Sequence, residues 1–243
     1  MVEHGSLGKL YGISAGTGDP DLITIKGWKA MRQSDIVAYP VGRIGQPTVP
    51  EVIACQFMQG HQQKLPLPLP NTPTAGIVRT AWQTATINIL QYLRQGKTVA
   101  FVAEGDANFY SPFAYVLLAV KQKQPEIPVE VIPGVSAPSV AASLAGIPLT
   151  TWSDKLIIFN QLTNLSDLED AIAWAEVVVI LEVSHIYREV WQLLWRYRLL
   201  GFSHVIAMPH QHWSDLTDYP LLNLPPLSLL IVSRTDAYSL LGY

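Results

Sequence analysis

Cysteine is nearly absent from this 243-residue chain: Cys55 stands alone, which excludes an internal disulfide and a thiolate cluster for zinc. Charge is scarce as well. Only 14% of the residues are Asp, Glu, Lys or Arg, and they sum to −3 at pH 7, so there is no electrostatic basis for binding nucleic acid. Long apolar runs are missing. The strongest, at 113–120 and 177–183, fall far short of the roughly 20 residues that a membrane helix requires. The opening Met-Val-Glu-His-Gly-Ser carries an acid and lacks the apolar stretch of a signal peptide, so a reducing, cytoplasmic setting without a membrane partner is expected.

What the chain has is apolar side chain, 49% of all residues. That is enough for a folded core, with apolar surface left for a cleft or a subunit interface. Residues 9–15 read as a first strand entering a Gly-rich turn, and 21–33 as a helix with Ile23, Ile25, Trp28 and Met31 on its buried side. Residues 36–39 read as a strand stopped by Pro40, 40–50 as a loop, and 64–73, with four prolines, as a stiff extended stretch. Helices are expected at 75–94, 111–122 and 136–145, and strands at 98–103 and 129–132. The second half suggests strands at 156–159, 177–181, 205–208 and 227–233. A helix at 187–200 would carry Val190, Leu193, Leu194 and Tyr197 as one stripe. Alternation at this rhythm predicts an α/β chain with mixed, mostly parallel sheets, in two small domains, 1–148 and 149–243.

Three turns follow strands and precede helices. The first is Gly12-Ile-Ser-Ala-Gly16-Thr-Gly18-Asp19-Pro20. It fits neither a Rossmann fingerprint nor a P-loop, and spacing alone leaves a structural turn and a ligand loop both open. The second is Glu104-Gly-Asp106-Ala-Asn-Phe109-Tyr-Ser111, where Asp106 is placed either to accept from a ribose or amine or, with Glu104 and Ser111, to cap the next helix. The third is Pro133-Gly134-Val-Ser136-Ala137, whose serine is either a ligand contact or an ordinary N-cap. In one parallel sheet the three would share one edge and define one crevice.

In this order the turns resemble the signature of the tetrapyrrole (corrin and porphyrin) methylases. That family typically shows G-x-G-P-G-D, then Gly-Asp-Pro, then P-G-(V/I)-(S/T)-(S/A). Gly-Lys-Leu-Tyr-Gly at 8–12, Asp-Ile-Val-Ala-Tyr-Pro at 35–40 and Glu-Gly-Asp at 104–106 followed by Phe-Tyr-Ser are most similar to the branch that methylates C-20 of precorrin-2 or cobalt-precorrin-2. The resemblance implies two α/β domains with a ligand cleft between them and S-adenosylmethionine as cosubstrate. It places the cofactor at Glu104, Gly105, Asp106, Phe109, Ser136, Ala137 and Glu182, and the tetrapyrrole at Gly16, Thr17, Gly18 and Asp19. It also implies a homodimer and no protein-bound metal, and it names no catalytic side chain.

The chain departs from the family pattern at particular places. Ser14 stands for a glycine, Thr17 for a proline, Ala107 for the proline of Gly-Asp-Pro, and Glu182 for an apolar residue or lysine. His204, His210 and His212 could suggest a metal, but a solvated loop explains them more simply. Trp191 and Trp195, four apart, suggest packing more than a platform for a macrocycle. Lys9, Lys26 and Arg43 are cations available to substrate carboxylates, or simply solvated.

Overall fold

A computed structural model of the chain describes residues 6–42, 47–68, 75–207 and 211–234. It divides into two compact units, Met1–Ser136 and Ala137–Tyr243. In the first unit β1 (Leu10–Ser14), α1 (Ile25–Gln33), β2 (Ile36–Val41), α2 (Val49–Phe57), β3 (Gln63–Pro68), α3 (Ala75–Arg94), β4 (Val99–Ala103), α4 (Phe113–Lys123) and β5 (Val129–Ile132) follow one another. Their strands form one sheet in the order β3-β2-β4-β1-β5, every pairing parallel.

A parallel sheet is covered on both faces, so its central strands are apolar throughout; all five residues of β4 are buried. Alternate side chains feed two cores. Val99, Phe101 and Leu10 pack with Ile89, Leu93, Val116 and Val120 of α3 and α4. Ala100, Val102 and Ile13 pack with Met31 and Ile53 of α1 and α2. Gly12 belongs to this packing and not to the turn: a Cβ there would lie 2.2 Å from the Phe113 ring. Only glycine lets the start of α4 settle onto β1 so closely.

The single helix expected over 21–33 is broken. A 3-10 turn (Pro20–Leu22) precedes α1, and each has its own cap: Asp19 accepts from Asp21 N, and Thr24 from Gly27 N. The break sets the phase of α1 so that Gly27, Ala30 and Met31 face inward, while Ile25, expected inside, is 72% exposed. Pro40 does not stop β2, because β2 pairs with β4 only through Ala38 and beyond that needs no N–H on that side. The proline-rich stretch forms β3, an edge strand, where missing N–H groups cost no ladder bond. Helix α2 begins inside the stretch 40–50 expected as a loop, because Thr48 caps Glu51 N there, and runs on over residues for which no element was expected. Pro70, Pro73 and Arg43 lie outside the described residues.

The second unit contains α5 (Ala137–Ala145), β6 (Leu156–Phe159), α6 (Leu165–Trp174), β7 (Val177–Ile180), α7 (Tyr187–Arg196), β8 (Ser203–Ala207), β9 (Gln211–Ser214) and β10 (Ser228–Ser233). Sheet order is β6-β7-β10-β8-β9, with β6 and β7 parallel and the other pairings antiparallel. Helices α6 and α7 cover one face through Leu168, Ile172, Val190, Leu193 and Leu194. Helix α5 covers the other through Ala141 and Ala142. It therefore packs with the second unit, and the turn at Gly146, expected near a domain boundary, closes it with φ +68°. Tyr197, expected to complete the α7 stripe, falls past the helix end and is 47% exposed.

His204 and His212 do not lie on a solvated loop. They face each other across the β8–β9 hairpin, Nδ1 to Nε2, at 3.2 Å. With centroids 5.4 Å apart and planes 17° apart, this is an edge-to-edge N–H···N contact that needs one proton between the two rings. His210 lies outside the described residues. Desolvation holds the half-buried His204 below the usual histidine value, with His212 lowering it further, and partial desolvation lowers the more exposed His212 as well. A lowered pKa means that the unfolded chain binds the proton more readily. The pair's contribution is thus complete above about pH 6.5 and is lost as the pH falls below it. Urea unfolding at pH 7 and pH 5 should show wild type losing stability on acidification, and His212→Gln should flatten that slope.

Candidate functional site

Strands β4, β1 and β5 are neighbours and run the same way, so the turns that follow them emerge at one edge of the first sheet. Hydrogen bonds stitch the three turns together. Gly16 and Gly105 exchange backbone bonds, Gly16 N to Gly105 O at 3.2 Å and Gly105 N to Gly16 O at 2.8 Å. Ser14, fully buried at the end of β1, donates from Oγ to Ile132 O at 2.6 Å and accepts from Ala107 N at 2.8 Å. Asp106 Oδ2 accepts from Gly134 N at 2.9 Å, and its Oδ1 from Asn108 N at 2.7 Å. The first turn is thus joined to the second, the second to the third, and the third back to the first.

Glycine is required where this clasp is tightest. A Cβ on Gly134 would sit 2.4 Å from Ser14 Cβ, and Gly16, Gly18 and Gly105 have φ of +74°, +123° and +64°. Gly105 differs from the others in what surrounds it. Although buried, it has, among the described residues and apart from its two chain neighbours, no atom within 4 Å of where a Cβ would point. That is an opening through which a ligand can approach the backbone.

Of the residues expected at the cofactor, Glu104, Gly105, Asp106 and Phe109 fall on the second turn, with Phe109 partly exposed. Ser136 ends the third turn. Ala137 opens α5 and Glu182 lies two residues beyond β7, both in the second unit. Of those expected at the tetrapyrrole, Gly16 and Gly18 shape the first turn, Thr17 is buried, and Asp19 is exposed while capping Asp21 N. Asp106 was expected as a cap of α4; instead its carboxylate ties Gly134 and Asn108, and the first N–H group of α4, Phe113 N, is met by Ser111 Oγ. Each carboxylate oxygen still has accepting capacity.

Lys9 and Lys26 are not idle cations. Both reach Glu130, at 2.7 and 2.6 Å, and they hold its carboxyl well down, to about 2, Lys26 contributing first. Trp191 is committed too, its indole N–H donating to Leu216 O at 2.8 Å, while Trp195 lies parallel to it and 64% exposed. Two residues escaped the sequence reading. Ser14 was visible only as a departure from a glycine. Tyr110 has φ 51°, a left-handed backbone on a bulky residue, and is 54% exposed in the second turn with its ring 4.8 Å edge-on to Phe109.

A parallel sheet with three glycine-bearing turns gathered at its carboxyl edge is an α/β ligand-binding design. The family model described as Tetrapyrrole (Corrin/Porphyrin) Methylases matches residues 9–208, and the chain belongs to that family. A precorrin-2 C(20)-methyltransferase from Sinorhizobium sp is 31% identical over 186 residues, 73% of this chain and 74% of that protein. A cobalt-precorrin-2 C(20)-methyltransferase from Salmonella typhimurium is 25% identical across 96% of this chain and 99% of its own length. Among solved structures, uroporphyrin-III C-methyl transferase from Thermus thermophilus complexed with S-adenyl homocysteine aligns with a TM-score of 0.65 at 19% identity, covering 93% of this chain and 92% of that one. At that identity the likeness speaks for the fold.

Because Asp106 ties two backbone N–H groups, Asp106→Ala should cost about 1–3 kcal/mol of stability. Thermal or urea unfolding of the variant checks this; an unchanged midpoint would show that the two N–H groups find water instead.

Proposed function

We propose that the chain transfers a methyl group from S-adenosylmethionine to C-20 of precorrin-2 or cobalt-precorrin-2. The observation that carries this is the open space over Gly105 within the stitched turns, in a chain of the tetrapyrrole methylase family. The substrate is inferred from the names of the relatives from Sinorhizobium and Salmonella. The cosubstrate is supported by the S-adenyl homocysteine complex of the Thermus protein.

In this reading Gly105 lets the cofactor approach main chain, and Phe109 packs against it. The spare lone pairs of Asp106 accept from its hydroxyl or ammonium groups, and Glu104, Ser136, Ala137 and Glu182 complete the contacts. Gly16, Thr17, Gly18 and Asp19 face the macrocycle. The sulfonium makes its own methyl electrophilic, and the reduced macrocycle supplies the carbon nucleophile. The protein holds the two in line, about 3 Å apart and away from water, which is worth roughly 7–11 kcal/mol. The proton lost from C-20 afterwards passes to water or a carboxylate. None of this requires a nucleophilic side chain or a metal held by the protein. Among the described residues no helix is long and apolar enough to cross a membrane. A cytoplasmic homodimer is the assembly this reading carries with it.

Titration calorimetry with S-adenosylhomocysteine, followed by methyl-transfer assays on precorrin-2 and its cobalt form, tests the proposal. Binding and a C-20-methylated product are expected. Absence of binding would remove the cofactor assignment, and binding without product on either substrate would remove the substrate assignment.

Gly105→Ala gives a sharper test. The positive φ should cost about 1–2 kcal/mol of stability. The methyl also enters the open space, so affinity for S-adenosylhomocysteine should fall by at least tenfold, about 1.4 kcal/mol or more. Equal affinity in the variant would place the ligand elsewhere.

A further inference from the structure

We infer that Ser14 is a positioning residue for the cofactor turns, and that it works only as a pair with the backbone N–H of residue 107. The inference rests on the proposed cofactor role of the second and third turns.

Ser14 reaches both of them by hydrogen bonds from a third strand, β1. Its hydroxyl donates to the last carbonyl of β5, Ile132 O, and accepts from Ala107 N, one residue past Asp106. Asp106 then reaches Gly134 N, two residues past Ile132. The ring of bonds from 14 to 107, through Asp106 to 134 and back through Ile132 to 14 closes on itself. Ser14 is 0% exposed, so water cannot replace the hydroxyl. Removing it leaves Ala107 N–H without its partner and frees Asp106, the neighbour of Gly105, to shift.

The pairing has a steric side. Ala107 N points its hydrogen at Ser14 Oγ from 2.8 Å. In a proline the ring carbon Cδ replaces that hydrogen at about 1.5 Å from the nitrogen, which brings it to within about 1.5 Å of the hydroxyl oxygen. A serine at 14 and a proline at 107 are therefore incompatible, while a glycine at 14 both removes the hydroxyl and makes room. The two departures noted in the sequence, serine for glycine at 14 and alanine for proline at 107, form one compensated change. A site that has exchanged both members together keeps its geometry.

The test is a two-residue cycle: Ser14→Gly, Ala107→Pro and the double variant, with Ser14→Ala as the smallest perturbation. Each is titrated with S-adenosylhomocysteine and melted. Leu193→Ala, buried in the second unit, serves as a destabilised control. Expected are about tenfold weaker binding in Ser14→Ala, a larger loss in Ala107→Pro, and recovery in the double variant to within a few-fold of wild type. The control should melt earlier with its affinity unchanged. The pairing is overturned if the double variant is as impaired as the sum of its parts. The positioning role is overturned if Ser14→Ala lowers the melting temperature but leaves affinity intact. A wild-type protein that does not bind S-adenosylhomocysteine removes the cofactor reading and the positioning role with it. The melting data then still judge the pairing, so the two failures are distinguishable.

Discussion

The parallel register of β4, β1 and β5 is the constraint on which the rest of the first unit depends. It sets Ser14 beside Ala103 and Ile13 beside Ile132, so three strand ends finish at one level and three turns leave together. A parallel sheet has no hairpins; every strand returns through a helix, and every turn at this edge is a strand-to-helix turn. Such turns leave backbone N–H groups to be satisfied. Here several of them are satisfied by one another, as between Gly16 and Gly105, and by side chains, Ser14 and Asp106 across turns and Asp19 and Ser111 within them.

That arrangement makes the edge stiff without filling it. A serine hydroxyl, a single carboxylate and reciprocal glycine backbones hold the turns together, and among the described residues the space over Gly105 stays clear. The same economy of bulk appears at Gly12, where the absence of a side chain lets Phe113 seat α4 on the sheet. Chemistry that depends on orienting two reactants asks for this kind of scaffold more than for reactive groups.

Much of this was legible from the residues. Strands β5 and β6 and helix α3 lie where hydrophobic pattern and Gly/Pro punctuation put them, because apolar runs bounded by turn residues leave few alternatives. The misses share a cause. The break before α1, the continuation of β2 through Pro40 and the strand β9 depend on what pairs with or caps a segment, which local composition does not record. His204 and His212 looked like loop residues because nothing near them in sequence announces a hairpin. They meet because β8 and β9 pair in one particular register.

The candidate site divides in the same way. The sequence by itself determined the three turns, their order and the need for glycine in them, because positive φ and close backbone approach are written in residue type. It also carried the family resemblance that the matched region, residues 9–208, shows. What only the tertiary structure decided is which side chains hold the turns together. Lys9 and Lys26 turned out to be spent on Glu130, Asp106 to tie the third turn, and Ser14 to join all three across separations of 93 and 118 residues. A hydroxyl's partners are set by distances of about 3 Å in space, and no pattern along the chain encodes them until the strands are side by side.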